Sequence, residues 1–194
     1  MRQARVAGED LRLRRVSSLL DWHTGLTSDR QALQTFTCTN SPVKPKRPPF
    51  VLEHPNIWEY KVQQYIRQLR PIFTPPLYLL LGFDELGLAA VSHYEELDGP
   101  SDVFIKSMAV HMRHRRKGGG YADEMFEQTF DAVSARAIET GTLVVQMSAR
   151  VEEQNHSSQQ MCRRAGLRHR AMVSESLQNW SREFVFDVAD DSFL

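Results

Sequence analysis

One stretch in the middle of the chain, RHRRKGGGYADEM, combines a cationic cluster, three consecutive glycines and the start of an amphipathic run. It follows DVFIKSMAV, whose β-branched and aromatic residues predict a strand. It precedes a segment, Tyr121 to Glu139, that places its apolar residues on one helical face. Three glycines in a row weaken both helix and strand, so this loop needs backbone positions that a Cβ would block. The chain is therefore expected to contain a strand, a glycine-rich cationic loop and a helix in direct succession.

This succession predicts an anion-binding site. The first turn of a helix has N–H groups without acceptors and lies at the positive end of the helix dipole. Glycines let a ligand approach that backbone, and Arg115, Arg116 and Lys117 add full charges, so a diphosphate suits the loop. A solvated cationic loop and a nucleic-acid patch are alternatives. The loop is not a P-loop, because the lysine precedes the glycines, and Asp123 occupies the third glycine position of a Rossmann loop.

The rest of the sequence predicts an α/β fold. A helix is expected in NIWEYKVQQYIRQL, followed by a hairpin whose strands run from Tyr78 to Leu81 and from about Leu86 to Tyr94. After the long helix come a strand at 143–149, a short helix between Asn155 and Gly166, and strands near 168–174 and 182–188. The order ββ, β, glycine loop, α, β, α, ββ indicates a mixed sheet. Residues 1–50 are the least readable, and proline-rich 41–50 is expected to be a connecting loop.

Composition limits the classes of function. The 194 residues suit one domain, and 24 basic against 24 acidic residues argue against a surface built for nucleic acid. The longest apolar run, Leu77 to Leu81, is too short to span a membrane, and no signal peptide is visible. Cys38 and Cys162 are far apart in sequence, which predicts a reducing, cytoplasmic compartment. His111 and His114 lack a third ligand at suitable spacing, so no metal is predicted.

Two motifs resemble those of the GNAT superfamily of N-acetyltransferases. Arg115-x-x-Gly118-x-Gly120 resembles the [QR]-x-x-G-x-[GA] signature. Downstream, the family pattern N-x-x-A-x-x-L-[Y]-x-[KR]-x-G-F is similar to a set of residues here: Asn155, Ser158, Met161, Arg164, Gly166 and Leu167. The resemblance covers about residues 77–188. It implies one domain over 1–194, with a mixed, mostly antiparallel central sheet flanked by helices and a splayed strand pair for the cofactor. Residues 1–75 would supply the opening strand and helices.

The resemblance also implies that acetyl-CoA is the co-substrate, and it implies where acetyl-CoA binds. Backbone N–H groups of the glycine loop would hold the pyrophosphate, the pantetheine would run along the strand before the loop, and Asn155 would face it. The implied cofactor residues are Met108, Val110, Arg115, Arg116, Lys117, Gly118, Gly119, Gly120, Tyr121 and Asn155.

The implied reaction is direct attack on the thioester by a primary amine, which belongs to a small molecule or to a protein. Glu95 and Glu96, with His93 and Asp102 nearby in sequence, are candidates for the base, and a solvated turn with water-mediated deprotonation is the alternative. Cys162 stands seven residues after Asn155, where many relatives carry a tyrosine that protonates the leaving thiolate. It is either that acid or a small apolar filler.

The sequence leaves two alternative functions open. The chain is alternatively a module that binds acyl-CoA without catalysis, or an acetyltransferase acting on a macromolecule, either a protein amine or aminoacyl-tRNA. Because many relatives pair into dimers, a homodimer is among the expected states.

Overall fold

A seven-stranded sheet runs through the protein, with its strands in the order β1-β2-β3-β4-β5-β7-β6. The computed structural model describes residues 18–42, 54–71, 75–115 and 120–186. The strands are β1 (Asp21–Thr24), β2 (Leu77–Asp84), β3 (Gly87–Glu96), β4 (Asp102–Val110), β5 (Val144–Glu152), β6 (Arg168–Met172) and β7 (Leu177–Val185). The helices are α1 (Arg30–Thr35), α2 (Ile57–Gln68), α3 (Tyr121–Thr140) and α4 (His156–Arg164).

The sheet is antiparallel except at its centre. β4 and β5 pair in parallel, and the chain passes between them through α3. Every other neighbouring pair is antiparallel. This confirms the predicted mixed, mostly antiparallel sheet flanked by helices. Because β4 and β5 run the same way, their carboxyl ends and the helices that follow them lie at one edge of the sheet.

Helices pack on both faces of the sheet. Successive side chains of each strand point to opposite faces, so each face contributes apolar residues to a core of its own. One core joins α3 and α4 to the sheet through Val103, Ile105, Phe126, Val133, Ala149, Cys162 and Phe184. The other joins α1 and α2 to β2 and β3 through Leu33, Phe36, Ile66, Leu79, Leu81 and Val91. The two helical layers therefore cover opposite faces, and the centre of the sheet lies between them.

The parallel pair separates part-way along its length. β4 and β5 are hydrogen-bonded only from Asp102 to Ile105, opposite Gln146 to Ala149. Beyond that point β4 stays paired with β3 as far as Val110, and β5 stays paired with β7 as far as Glu152. A gap therefore opens between the two strands towards their carboxyl ends. This is the splayed pair that the family resemblance implies.

A β-bulge interrupts β4 where the gap opens. His93 lies opposite Ser107 and Tyr94 opposite Ile105, so Lys106 has no partner in the register. One extra residue reverses which side chains face each side of the strand beyond it. Lys106 and Ser107 consequently lie on the same side of β4, facing α2.

The observed elements depart from prediction near both chain ends. The last strand was predicted at 182–188, but β7 begins at Leu177, because the polar residues of its first half pair with β5 and β6. An opening strand and helices were expected within residues 1–75, but β1 and α1 could not be located there, since β1 has four residues and α1 six, too few for a clear period. Most of the loop predicted at 41–50 lies outside the described residues.

Candidate active site

Helix α3 begins beside the gap between β4 and β5, and no side chain caps it. Its N-cap is Gly120, which has a left-handed backbone with φ of 78°. Among the described residues, a Cβ at Gly120 would meet only the Cδ1 atom of Leu19, at 3.9 Å, so none of those residues blocks the approach to this backbone. Within the part of the chain that the structure describes, the first N–H groups of α3 therefore present partial positive charge to the gap without a side-chain acceptor. These groups suit an anion.

Two acidic side chains lie in the first turn of α3, and both are engaged elsewhere. The carboxylate of Glu124 is 8% exposed and accepts hydrogen bonds from a segment beside β1: Ser18 Oγ at 2.7 Å, Leu19 N at 3.0 Å, Leu20 N at 3.3 Å and Trp22 Nε1 at 3.0 Å. Asp123 accepts from Arg164 of α4 at 2.7 Å. Because both charges have donors of their own, they oppose an anion at the helix start less than free carboxylates would.

The loop between β4 and α3 is tied down on the β4 side. Arg113 donates to Asp84 at 2.7 Å, and His114 Nε2 lies 2.5 Å from the same carboxylate. Burial raises the pKa of Asp84, but hydrogen bonds from Arg113 and His114 outweigh it and leave the pKa at about 2. Asp84 is therefore ionised at neutral pH and anchors the loop to the β2–β3 hairpin.

Arg115, the first residue of the glycine signature, is turned towards α2. Its guanidinium forms a two-pronged ion pair with Glu59 and donates to the Cys38 carbonyl at 2.7 Å. Burial raises the pKa of Glu59, but the hydrogen bond and charge of Arg115 outweigh it, so the pKa lies below its usual range. The charge of Arg115 thus joins the loop to α2, and its side chain has a partner within the protein.

The other predicted cofactor residues divide into two groups. Arg116, Lys117, Gly118 and Gly119 lie outside the described residues, so their contacts with a diphosphate stay predictions. Met108 and Val110 lie on β4 beyond the last pair with β5, at the edge of the gap, with Tyr121 and Gly120 at the helix start.

Asn155 and Cys162 both serve the structure of α4. The Asn155 carboxamide caps the helix by accepting from Ser158 N at 3.2 Å. Cys162 is 2% exposed within the main core, and burial raises the pKa of its thiol to about 11. A protonated thiol packed among apolar side chains suits a small apolar filler of the core.

The opposite face of the gap carries a cavity of about 290 Å³ between α2 and β4. It is lined by Lys61, Val62 and Tyr65 of α2 and by Phe104, Lys106 and Ser107 of β4. Tyr65 Oη lies 2.8 Å from His93 Nδ1. Burial raises the pKa of Tyr65 and lowers that of His93 to about 4, so both groups are neutral at pH 7.

The two carboxylates predicted as bases lie on opposite faces of β3. Glu95 faces α2 and accepts from Lys106 at 2.6 Å, and this hydrogen bond raises the pKa of Lys106. Glu96 faces α3, where it is 7% exposed and accepts from Tyr78 at 2.9 Å beside a second cavity of about 180 Å³. Adjacent residues of a strand must diverge in this way. Only Glu95 therefore lies on the side of the cavity under α2.

Solved structures share this architecture. The ribosomal-protein-S18-alanine N-acetyltransferase from Escherichia coli superposes with a TM-score of 0.54, at 10% identity over 91% of this chain and 99% of its own. The GNAT domain of PAT from S. lividans gives 0.55, at 13% identity over 84% and 89%. YncA from Salmonella typhimurium, with its cofactor acetyl-CoA, gives 0.51, at 16% identity over 88% and 96%. No family profile and no curated protein sequence matches the chain.

The chain has the GNAT fold. On this fold, the uncapped start of α3, the open backbone at Gly120 and the free edge of β4 beyond Ile105 fit a cofactor with a diphosphate and an extended amide-bearing arm. Among the described residues no helix is long and apolar enough to cross a membrane. No group of three or more potential metal ligands occurs in that same part of the chain.

Several residues that shape the candidate site could not be identified from the sequence. Lys61 and Ser107 line the cavity, and Glu124 holds the start of α3, yet none belongs to a recognisable motif. The bulge at Lys106 puts Ser107 on the cavity side, which strict alternation along DVFIKSMAV would not do. The one available signal was the helical face of α2, which predicts Val62 and Tyr65 turned towards the sheet.

Proposed function

We propose that the protein is an acyl-CoA-dependent N-acetyltransferase that moves an acetyl group from acetyl-CoA to a primary amine by direct attack. The single observation that carries this proposal is the gap between β4 and β5, which opens beside the uncapped start of α3. Structures of the same fold support it, since one of them contains acetyl-CoA. Two free, buried cysteines accord with the cytoplasmic location that we also propose.

The chain's own residues would hold acetyl-CoA along this gap. The N–H groups of Gly120 and Tyr121 would bind the diphosphate, together with Gly118 and Gly119 and the charges of Arg116 and Lys117. Backbone groups of Met108 and Val110, which have no partner on β5, would bond to the pantetheine arm as an added strand would. Bound acetyl-CoA supplies a thioester activated for attack.

The acceptor amine would approach from the α2 face, because α3 and α4 cover the other face. The nitrogen must lose a proton before it attacks, and Glu95 is the predicted carboxylate on this side. We assign Glu95 the role of receiving that proton, directly or through water, with Lys106 holding it in place. Cys162 is left out of the proton path because its side chain lies in the core.

Two measurements test the proposal in sequence. A thermal shift titration with acetyl-CoA should stabilise the protein by about 2.7 kcal/mol at a hundredfold excess over Kd. A panel of primary amines should then yield free thiol from acetyl-CoA and an acetylated product by mass spectrometry. No stabilisation with any acyl-CoA would reject cofactor binding. Stabilisation without turnover of any amine would instead support a non-catalytic acyl-CoA-binding module.

A further inference from the structure

The cavity under α2 has a chemical character that bears on the identity of the acceptor. Its carbon-rich walls are Val62, Tyr65 and Phe104, and its polar groups are Lys61, Lys106 and Ser107. It lies where β4 separates from β5, on the face away from α3. A volume of about 290 Å³ is near the lower end of the range for small-molecule sites. A small ligand therefore suits it better than a folded partner.

Ser107 provides a polar atom that lacks a protein partner. The residue is 6% exposed, and its Oγ makes no hydrogen bond within the part of the chain that the structure describes. It lines the cavity directly after the bulge at Lys106. A buried hydroxyl without a partner costs free energy, so a ligand atom that bonded to it would gain affinity. Ser107 thus marks the inner part of the cavity, near the gap, as a polar subsite.

The charges around the cavity are unbalanced towards positive. Lys106 is paired with Glu95, whereas Lys61 takes part in no ion pair among the described residues. Arg150 of β5 lies over the ring of Phe104, 5.5 Å from its centroid, and likewise has no ion pair within the described ranges. Of the two charged side chains that line the cavity, Lys106 is therefore offset by Glu95, whereas Lys61 is offset by no carboxylate among the described residues. An anionic group on the ligand would offset the excess.

We propose that this cavity binds the acceptor, and that the acceptor is a small primary amine carrying a carboxylate or phosphate group. The proposal rests on the proposed function. The anionic group pairs with Lys61, one helical turn from Tyr65 on the same face of α2. The carbon skeleton lies between Tyr65 and Phe104, and the amine lies near Ser107 at the gap.

The transfer balances without any further reactant. The amine arrives as an ammonium ion and loses one proton before attack. Its nitrogen bonds to the acetyl carbonyl carbon, and the carbon–sulfur bond of the thioester breaks. The nitrogen gives up a second proton as the amide forms. One of the two protons completes the thiol of coenzyme A, and the other leaves to solvent.

Matched pairs of amines test the anionic requirement. Each pair consists of an amino carboxylate or an amino phosphate and its uncharged amide or ester counterpart. Binding is measured by calorimetry with and without coenzyme A, and turnover by thiol release from acetyl-CoA. We expect the anionic member to bind at least about tenfold more tightly, as for a charge-assisted hydrogen bond. The carboxylate and phosphate arms show which anion the cavity prefers.

Substitutions test whether the cavity residues cause the preference for anionic amines. Lys61→Met should reduce the ratio between charged and uncharged members to near one. Arg70→Gln is the matched control, because it removes an exposed cation just beyond the end of α2 that does not line the cavity. Ser107→Ala should raise KM for the acceptor while leaving thermal stability unchanged or higher, because it removes an unpartnered hydroxyl.

The outcomes separate the two proposals. If acetyl-CoA binds but uncharged amines bind or react as well as their anionic counterparts, or if no amine binds, the acceptor proposal is overturned and cofactor binding stands. If the preference survives in Lys61→Met, it is also overturned. If acetyl-CoA does not bind while anionic amines still bind in a Lys61-dependent way, the proposed function fails and the anion site remains.

Discussion

Cys162 stands at a motif position that implies a proton donor, and the structure places its side chain in the main core. It occupies the tyrosine position of the family pattern, yet the structure packs it in the main core with its thiol pKa raised to about 11. We expect Cys162→Ala to retain nearly wild-type kcat and to lose roughly 1 kcal/mol of stability. Steady-state kinetics and urea unfolding measure the two quantities. A fall in kcat of about 10² with unchanged cofactor affinity would return Cys162 to the mechanism.

Glu95 and Glu96 offer a matched pair of residues on one strand. Because only Glu95 faces the cavity side, Glu95→Gln should lower kcat by about 10²-fold while the Kd for acetyl-CoA stays the same. Glu96→Gln is the control, and its effect should appear in stability, through Tyr78 and Arg136, rather than in kcat. A larger loss of kcat in the Glu96 variant would place the base on the α3 side.

His93 should make stability depend on pH. Burial, assisted by Lys106, lowers the pKa of His93 from 6.5 to about 4. Between pH 4 and 6.5 the imidazole of His93 is protonated in the unfolded chain but neutral in the folded one. The contribution of His93 to the free energy of unfolding is therefore fully present above pH 6.5 and is lost as pH falls towards 4. One proton contributes at most about 1.4 kcal/mol per pH unit.

Urea unfolding from pH 7 to 4.5 measures this dependence. His93→Gln should flatten the slope, whereas His156→Gln, at an exposed histidine on α4, should not. Equal slopes in wild type and the His93 variant would show that His93 is already protonated at neutral pH or titrates normally.

At the scale of elements, the start of α3 is held by the segment that leads into β1. Glu124 accepts hydrogen bonds from four donors between Ser18 and Trp22, which joins the first turn of the helix to the edge of the sheet. We expect Glu124→Ala to lose at least about 2 kcal/mol of stability, because the donors lose a charged acceptor. It should also weaken acetyl-CoA binding, because the helix start loses its position.

A control on the same helix separates this effect from general damage. Glu139→Ala removes an exposed carboxylate from the last turn of α3, where the side chain is 71% exposed, and should change neither stability nor acetyl-CoA affinity appreciably. Calorimetry on both variants, at a temperature where both are folded, measures the affinities. If Glu124→Ala binds acetyl-CoA as tightly as wild type, the segment beside β1 does not position the cofactor loop.

How well elements could be predicted depended on their length and period. α3 and β4 were predicted almost to the residue, because 20 residues with an apolar stripe, or nine with β-branched and aromatic residues, leave few alternatives. β7 was placed late because its first half is polar and is stabilised by two neighbouring strands, which sequence alone does not reveal. The bulge at Lys106 depends on the register with β3, so the cavity residues beyond it could not be assigned.

At the scale of the whole molecule, the site depends on contacts between distant parts of the chain. The proposed cofactor side combines β4 and α3 with the segment before β1, while the cavity side combines β4 with α2. Arg115 connects the two, since it belongs to the glycine signature but pairs with Glu59 on α2. The motif predicted where an anion would lie, whereas the partners of its charges emerged only from the tertiary fold.

The central claim is that acetyl-CoA binds at the start of α3, and calorimetric titration of two glycine variants tests it most directly. Gly120 and Gly141 stand at the two ends of α3, have φ of 78° and 68°, and among the described residues a Cβ at either position would meet no atom closer than 3.9 Å. Gly120→Glu and Gly141→Glu therefore impose similar backbone strain and the same charge. We predict that Gly120→Glu remains folded and loses acetyl-CoA binding, whereas Gly141→Glu binds as wild type does. Equal affinity in the two folded variants would contradict the account and place the cofactor elsewhere.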